Sequence, residues 1–163
     1  MSYWESRKNL NYYKQIKIWL EQLTGFDSII DVGSADTPIA TWGEFNHRIA
    51  VNKEYKPELE NVDCIKNDWM QLDLKADVIT CLQVLEHFET DYLKEFSKKI
   101  LQSSKVAIIS VPYNWQKGMC KYHKQDPINL QKLLDLIEQE PIKFEVVTDR
   151  NTKRLIALFK GEN

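Results

Sequence analysis

Cysteine is scarce and unpatterned in this chain. Cys64, Cys81 and Cys120 are odd in number, far apart, and form no Cys-x-x-Cys pair. That excludes a disulfide framework and a zinc finger, and it fits a reducing compartment. Charge of either sign is not in excess: Lys+Arg is 22 against Asp+Glu 24, a formal charge of -2. Bulk nucleic-acid binding through phosphate neutralisation is therefore not expected. No stretch approaches the roughly 18 apolar residues of a membrane span. The opening Met-Ser-Tyr-Trp-Glu-Ser-Arg-Lys has no apolar signal core. No membrane insertion and a cytoplasmic location follow as expectations. Repeats, low-complexity tracts and a recognisable linker are also missing.

What is there suffices for one domain. The 163 residues are 43% apolar, enough to build a core, and the length leaves little room for a second unit. Residues 1–163 are read as a single domain. The first 24 residues read as a helix, because Tyr13, Ile16, Leu20 and Leu23 recur at three- and four-residue spacing, with Gly25 as terminator. Seven short runs read as strands: 28–32, 48–51, 63–65, 77–82, 106–111, 143–148 and 154–159. The last two are separated by a hairpin-length gap. A helix over 90–101 carries Leu93, Phe96 and Ile100 on one face. Asp126-Pro127 reads as the cap and first turn of another helix, bearing Leu130, Leu133, Leu134 and Ile137. Alternating strands and helices predict an α/β fold. It is a Rossmann-like, seven-stranded, mostly parallel sheet with a C-terminal antiparallel hairpin and helices on both faces.

Such sheets bind ligands at the carboxyl ends of their strands. The segment Asp31-Val-Gly33-Ser34-Ala35-Asp36-Thr37-Pro38 ends a strand and is expected to open a short helix. Gly33 permits close backbone approach, Ser34 and Ala35 keep it open, and Asp31 can orient a cationic group. A full Gly-x-Gly-x-x-Gly is absent, because Ala35 and Pro38 stand at the later positions. A pyrophosphate needs that closer approach, which weakens the reading of the chain as a nucleotide-binding oxidoreductase.

Further segments join this one. Arg48-Ile-Ala-Val-Asn52-Lys-Glu54 ends a strand about 20 residues beyond Gly33, where a ribose-binding acid is expected. Asn67-Asp68-Trp69-Met70 follows a third strand, and a fourth runs into Gln83-Val-Leu-Glu86-His87. Together with Asp31-Val-Gly33, this set resembles the class I S-adenosylmethionine-dependent methyltransferases over roughly residues 28–111. The opening Tyr3-Trp4-Glu-Ser-Arg7 is similar to the first helix of bacterial members. Val111-Pro112-Tyr113-Asn-Trp115 and Tyr122-His123-Lys-Gln-Asp126-Pro127 are similar to a subset found with cell-surface polysaccharide genes.

The resemblance implies S-adenosylmethionine as cofactor and a small-molecule acceptor. Asp31, Gly33, Ser34 and Ala35 would lie against its methionyl part. Asn52 or Glu54 would accept the ribose hydroxyls, a choice left open. Asp68 would accept from the adenine amino group, with the Trp69 or Met70 N–H on a ring nitrogen. Gln83 would face the amino group or sulfonium, and Arg7 would pair with the carboxylate. The leading acceptor is an oxygen of a sugar or glycan precursor. A catalytically silent methyltransferase-like module is the alternative, because only Gly33 remains of the expected glycines.

Three histidines are weighed. His123 is the base candidate, with Asp126 three residues on to orient it; the competing reading makes Asp126 only a helix cap and His123 an exposed loop residue. His87 is read as structural and His47 as unremarkable. A metal site from Glu86, His123 and Asp126 is not supported by their spacing, so no metal is assigned. Tyr113, Trp115 and Tyr122 are expected to cluster where the acceptor enters. With no long insertion to enclose an acceptor, the site is expected to be open, or completed by another copy in a homo-oligomer.

Overall fold

Seven short apolar runs become the seven strands of one sheet. The structure, a computed structural model, describes residues 1–163. In chain order the elements are α1 (Asn11–Gln22), β1 (Ser28–Val32), β2 (His47–Asn52), β3 (Asp63–Lys66), β4 (Ala76–Leu82), α2 (Thr90–Gln102), β5 (Ser104–Pro112), α3 (Leu130–Ile137), β6 (Lys143–Asp149) and β7 (Thr152–Lys160). The sheet order is β3-β2-β1-β4-β5-β7-β6. β6 and β7 form the expected antiparallel hairpin, and β7 also pairs antiparallel with β5. It therefore inserts between β5 and β6, and is the one strand opposed to the rest.

The central strands are buried on both faces, as near-continuous apolar runs require, whereas the edge strands β3 and β6 are largely exposed. On one face α2 and α3 pack Leu93, Phe96, Ile100, Leu133 and Leu136 against Ile79, Ile109 and Ala157. On the other, α1 packs Tyr12, Ile16, Trp19 and Leu20 against Ile29, Val78 and Ile108.

Three local expectations change. The first helix begins at Asn11 rather than at the start of the chain, because its apolar period begins only near Tyr13. Leu10 offers no cap; instead the Asn11 and Tyr12 N–H groups donate to the Asp149 carboxylate at 2.6 and 3.1 Å. A long-range acid thus satisfies helix-start donors that no local residue serves. The loop after β1 forms only a 3-10 turn, Ile39–Thr41. Asp126 does not cap the last helix. Asn129 does, its side chain accepting from Lys132 N at 2.9 Å, which frees Asp126 for another role.

Candidate functional site at the sheet switch point

From β1 the chain builds outward through β2 and β3, then resumes on the opposite side of β1 at β4. Strand order reverses there, so the loops leaving β1 and β4 diverge and open a crevice at the carboxyl edge. The crevice comprises two cavities that share Gly33. One, of about 300 Å³, is lined by Gly33, Asn52, Lys53, Asp68, Trp69 and Val84, with Phe88, Tyr92 and Phe96 from the far side. The other, of about 140 Å³, is lined by Tyr3, Tyr13, Asp31, Gly33, Ser34, Ala35, Gln83 and His87.

Gly33 is fixed by two constraints. Its φ is +75°, and a Cβ there would stand 2.5 Å from Val84 Cγ2. Any side chain would both strain the backbone and fill the space where the cavities meet. Its N–H and that of Ser34 donate to Val51 O, tying the turn to β2. Behind it, Asp31 is 1% exposed. One carboxylate oxygen accepts from Thr80 at 2.7 Å, while Oδ2 has no partner. Burial pushes this carboxyl up to about 7, with hydroxyls of Thr80 and Thr37 pulling the other way. An orphaned buried oxygen on a cavity wall is a ready acceptor for a cationic ligand group.

Along the larger cavity, Asn52 stands at the end of β2 and its amide donates to Tyr55 O. Glu54 does not line the cavity. Asp68 does; it accepts from Met70 N at 2.9 Å and pairs with Lys53 at 2.9 Å. Burial raises its pKa, but Lys53 and the Met70 N–H outweigh that and hold it below the usual carboxylate range. The Met70 N–H is thereby committed within the chain. Lys99 from α2 fixes this wall by donating to the carbonyls of Trp69, Met70 and Leu72.

Gln83 lines the smaller cavity at φ +57°, its amide donating to Ser110 Oγ at 3.2 Å. Arg7 does not reach it. Its guanidinium stacks on Tyr3, 4.0 Å from the ring centroid, and Tyr3 takes the place on the cavity wall. The N-terminal segment does fold over the β1 loop, with Trp4 N–H donating to Asp36 at 2.8 Å and the Trp4 ring edge-on to Tyr13.

Beyond His87 lies a second polar group. His123 is not an exposed loop residue: its side chain is 7% exposed and Nδ1 lies 2.7 Å from Asp126 Oδ2. Trp115 stacks on its ring, and His87 meets it edge-on at 4.9 Å between centroids. His87 Nδ1 is 3.2 Å from Tyr122 O, and burial lowers its pKa. Glu86 is 1% exposed, and burial with the nearby Asp126 charge pushes its carboxyl up to about 8. Its backbone carbonyl accepts from Lys124 and Gln125, which seats the His123 loop against the β4 turn. The three aromatics do not form one cluster. Trp115 covers His123, Tyr113 packs against the core, and Tyr122 is exposed.

Lys53, Val84 and the Phe88–Tyr92–Phe96 wall were not anticipated. The aromatic wall had a signal, since Phe88, Tyr92 and Phe96 recur every four residues where α2 begins. Lys53 had none beyond its neighbours in sequence.

No protein-family model matches the chain, and no curated protein matches it. Solved structures do match. The N-methyltransferase NodS from Bradyrhizobium japonicum WM9, in complex with S-adenosyl-L-homocysteine, superposes with a TM-score of 0.71 at 9% identity, covering 94% of this chain and 87% of that one. Magnesium protoporphyrin IX methyltransferase from Synechocystis PCC 6803, with the same compound bound, gives 0.69 at 13% identity, covering 93% and 83%. The [4+2]-cyclase SpnF gives 0.68 at 11%, covering 93% and 80%. The chain has the Rossmann-like methyltransferase fold, and the third neighbour carries a different reaction name on it.

Proposed function

We propose that the chain binds S-adenosylmethionine across the β1–β4 switch point and methylates a small acceptor, with an oxygen of a sugar or glycan precursor as the acceptor class. The observation that carries this reading is the junction at Gly33. There two cavities share one bare backbone position, beside a buried carboxylate oxygen with no partner.

When bound, S-adenosylmethionine supplies a methyl group already activated on a positively charged sulfur, so the protein's work is alignment and desolvation. Asp31 Oδ2 would accept from the methionine ammonium. Asn52 would meet the ribose, Asp68 the adenine amino group, and the apolar wall the rest of the ring. Gln83 and His87 would border the methyl end. His123 would take the acceptor's hydroxyl proton: with Nδ1 held by Asp126, Nε2 is the atom left for it.

Titration calorimetry with S-adenosylhomocysteine tests the donor half. Binding should release a proton near pH 6, visible as a dependence of the heat on the buffer's ionisation enthalpy. Asp31 is mostly protonated there in the free chain, and an adjacent ammonium favours its ionised form. Asp68→Ala should weaken binding by about 1–3 kcal/mol. No heat and no thermal shift at millimolar ligand would overturn the reading in favour of a silent module.

A further inference from the structure

We propose that Glu86, His87 and His123 form a binding site for one divalent first-row transition-metal ion at the acceptor edge of the crevice. One donor atom from each residue lies within 4.8 Å of the others. Glu86 is 1% exposed, its Oε2 has no hydrogen-bond partner, and Oε1 stands 4.0 Å from His87 Nε2. Three donors about 2.1 Å from a common ion stand about 3.4 Å apart in a tetrahedral set, so loading draws the widest pair in by up to about 1.4 Å, within reach of side-chain rotation.

The surroundings of the two imidazoles match what a metal needs. Each Nδ1 faces an oxygen acceptor: Tyr122 O at 3.2 Å for His87, and Asp126 Oδ2 at 2.7 Å for His123. An acceptor at Nδ1 places the proton there and makes Nε2 the basic nitrogen. Metal-binding histidines are oriented this way by a carbonyl or carboxylate behind them. The charges point the same way. Glu86 and Asp126 are both buried, and neither has an ion pair with lysine or arginine. With neutral imidazoles, ionising both carboxyls would place two negative charges out of contact with water, which is costly without a counter-charge. A dication supplies it. Two nitrogens and one carboxylate oxygen suit zinc, cobalt or manganese, whereas calcium and magnesium prefer oxygen-only sets.

His87 also lines the smaller cavity, so a coordination position left open by the protein would face an acceptor oxygen there. That placement rests on the donor reading above; the binding of the ion does not. If the ion is held, His123 serves it as a ligand rather than acting as a free base.

The test is titration of the full chain with Co²⁺ alone, followed by visible absorption. One equivalent should bind with a nitrogen–oxygen spectrum and no thiolate charge-transfer band, which sets Cys64 and Cys120 aside. Excess Mg²⁺ should not displace it. Glu86→Gln, which keeps the side-chain volume, and His123→Ala should each weaken uptake at least tenfold, while His47→Ala should leave it unchanged. Far-UV circular dichroism shows that each variant is folded. No uptake by the unsubstituted chain, a thiolate band, or uptake that Glu86→Gln leaves intact would overturn the site. S-adenosylhomocysteine titrated into the metal-free chain separates failure of this site from failure of the donor reading.

Discussion

The two ends of the crevice are built in different ways. The end proposed to hold the donor is assembled from turns that each follow their own strand: Asp31–Ala35 after β1, Asn52 after β2, Asp68–Trp69 after β3. Its specificity is in backbone geometry, above all the positive φ at Gly33 and the Val84 contact upon it. The end proposed to face the acceptor joins the β4 turn to a loop more than thirty residues further on, through His87–Tyr122 and Gln125–Phe88 hydrogen bonds. Its character is electrostatic, with Glu86 and Asp126 buried beside two imidazoles. A fold can thus prepare one end of a site by local chain shape and the other by long-range charge placement.

The largest expected effect probes the backbone end. Gly33→Ala adds a Cβ against Val84 at a backbone angle that L-residues rarely adopt. The combined strain and overpacking should cost about 3–5 kcal/mol in urea unfolding, with S-adenosylhomocysteine binding lost in the folded fraction. A cost under about 1 kcal/mol would mean that Val84 yields freely, and that the donor end is not specified by chain shape.

Two buried acids sharpen the contrast at a smaller scale, and with opposite signs. Asp126→Ala removes the 2.7 Å bond to His123 and strands a buried Nδ1, which should destabilise the chain by about 2 kcal/mol. Asp31→Asn should stabilise it. Here the folded value, about 7, lies above the ordinary 3.8. The native state therefore holds its proton longer than the unfolded chain, and stability falls as pH rises from about 4 to about 7. That shift corresponds to roughly 4 kcal/mol at its ceiling. A gain of about 2 kcal/mol at pH 7.5 is expected, with a flatter stability profile over that window and weaker ligand binding. Equal destabilisation by both variants would show that Asp31 is held for packing and not for a cationic ligand.

The sequence was legible wherever a rule acts locally. All seven strands were expected near their observed limits, because short apolar runs bounded by polar turns are a local signal. The Asp31–Ala35 turn was placed on the crevice for the same reason. The misses share a cause in distance. The capping of α1 comes from Asp149, 138 residues from Asn11. Asp126-Pro127 carries a true helix-start signal, yet Asn129 takes the cap and Asp126 turns to His123. Nothing in the spacing of Glu86, His87 and His123 places them together; the β4–β5 pairing and the loop bonds to Glu86 O do so.

The smallest effect resolves a choice that the sequence left open at the end of β2. Asn52 and Glu54 both follow the strand, and chemistry alone favours the carboxylate, which can accept from two hydroxyls at once. Geometry favours the amide. Asn52 lines the larger cavity, whereas Glu54 is exposed and outside it. An exposed carboxylate gains little from a hydrogen bond that water already supplies, while a group on a cavity wall loses its water when the ligand enters. Asn52→Ala should therefore weaken S-adenosylhomocysteine binding by about 1 kcal/mol, and Glu54→Ala by less than about 0.5 kcal/mol, both by calorimetry. The reverse ranking would mean that the loop after β2 swings inward on binding. The donor end would then be shaped partly by its ligand, and the division between a preformed end and a charge-built end would narrow to Gly33 and Asp31.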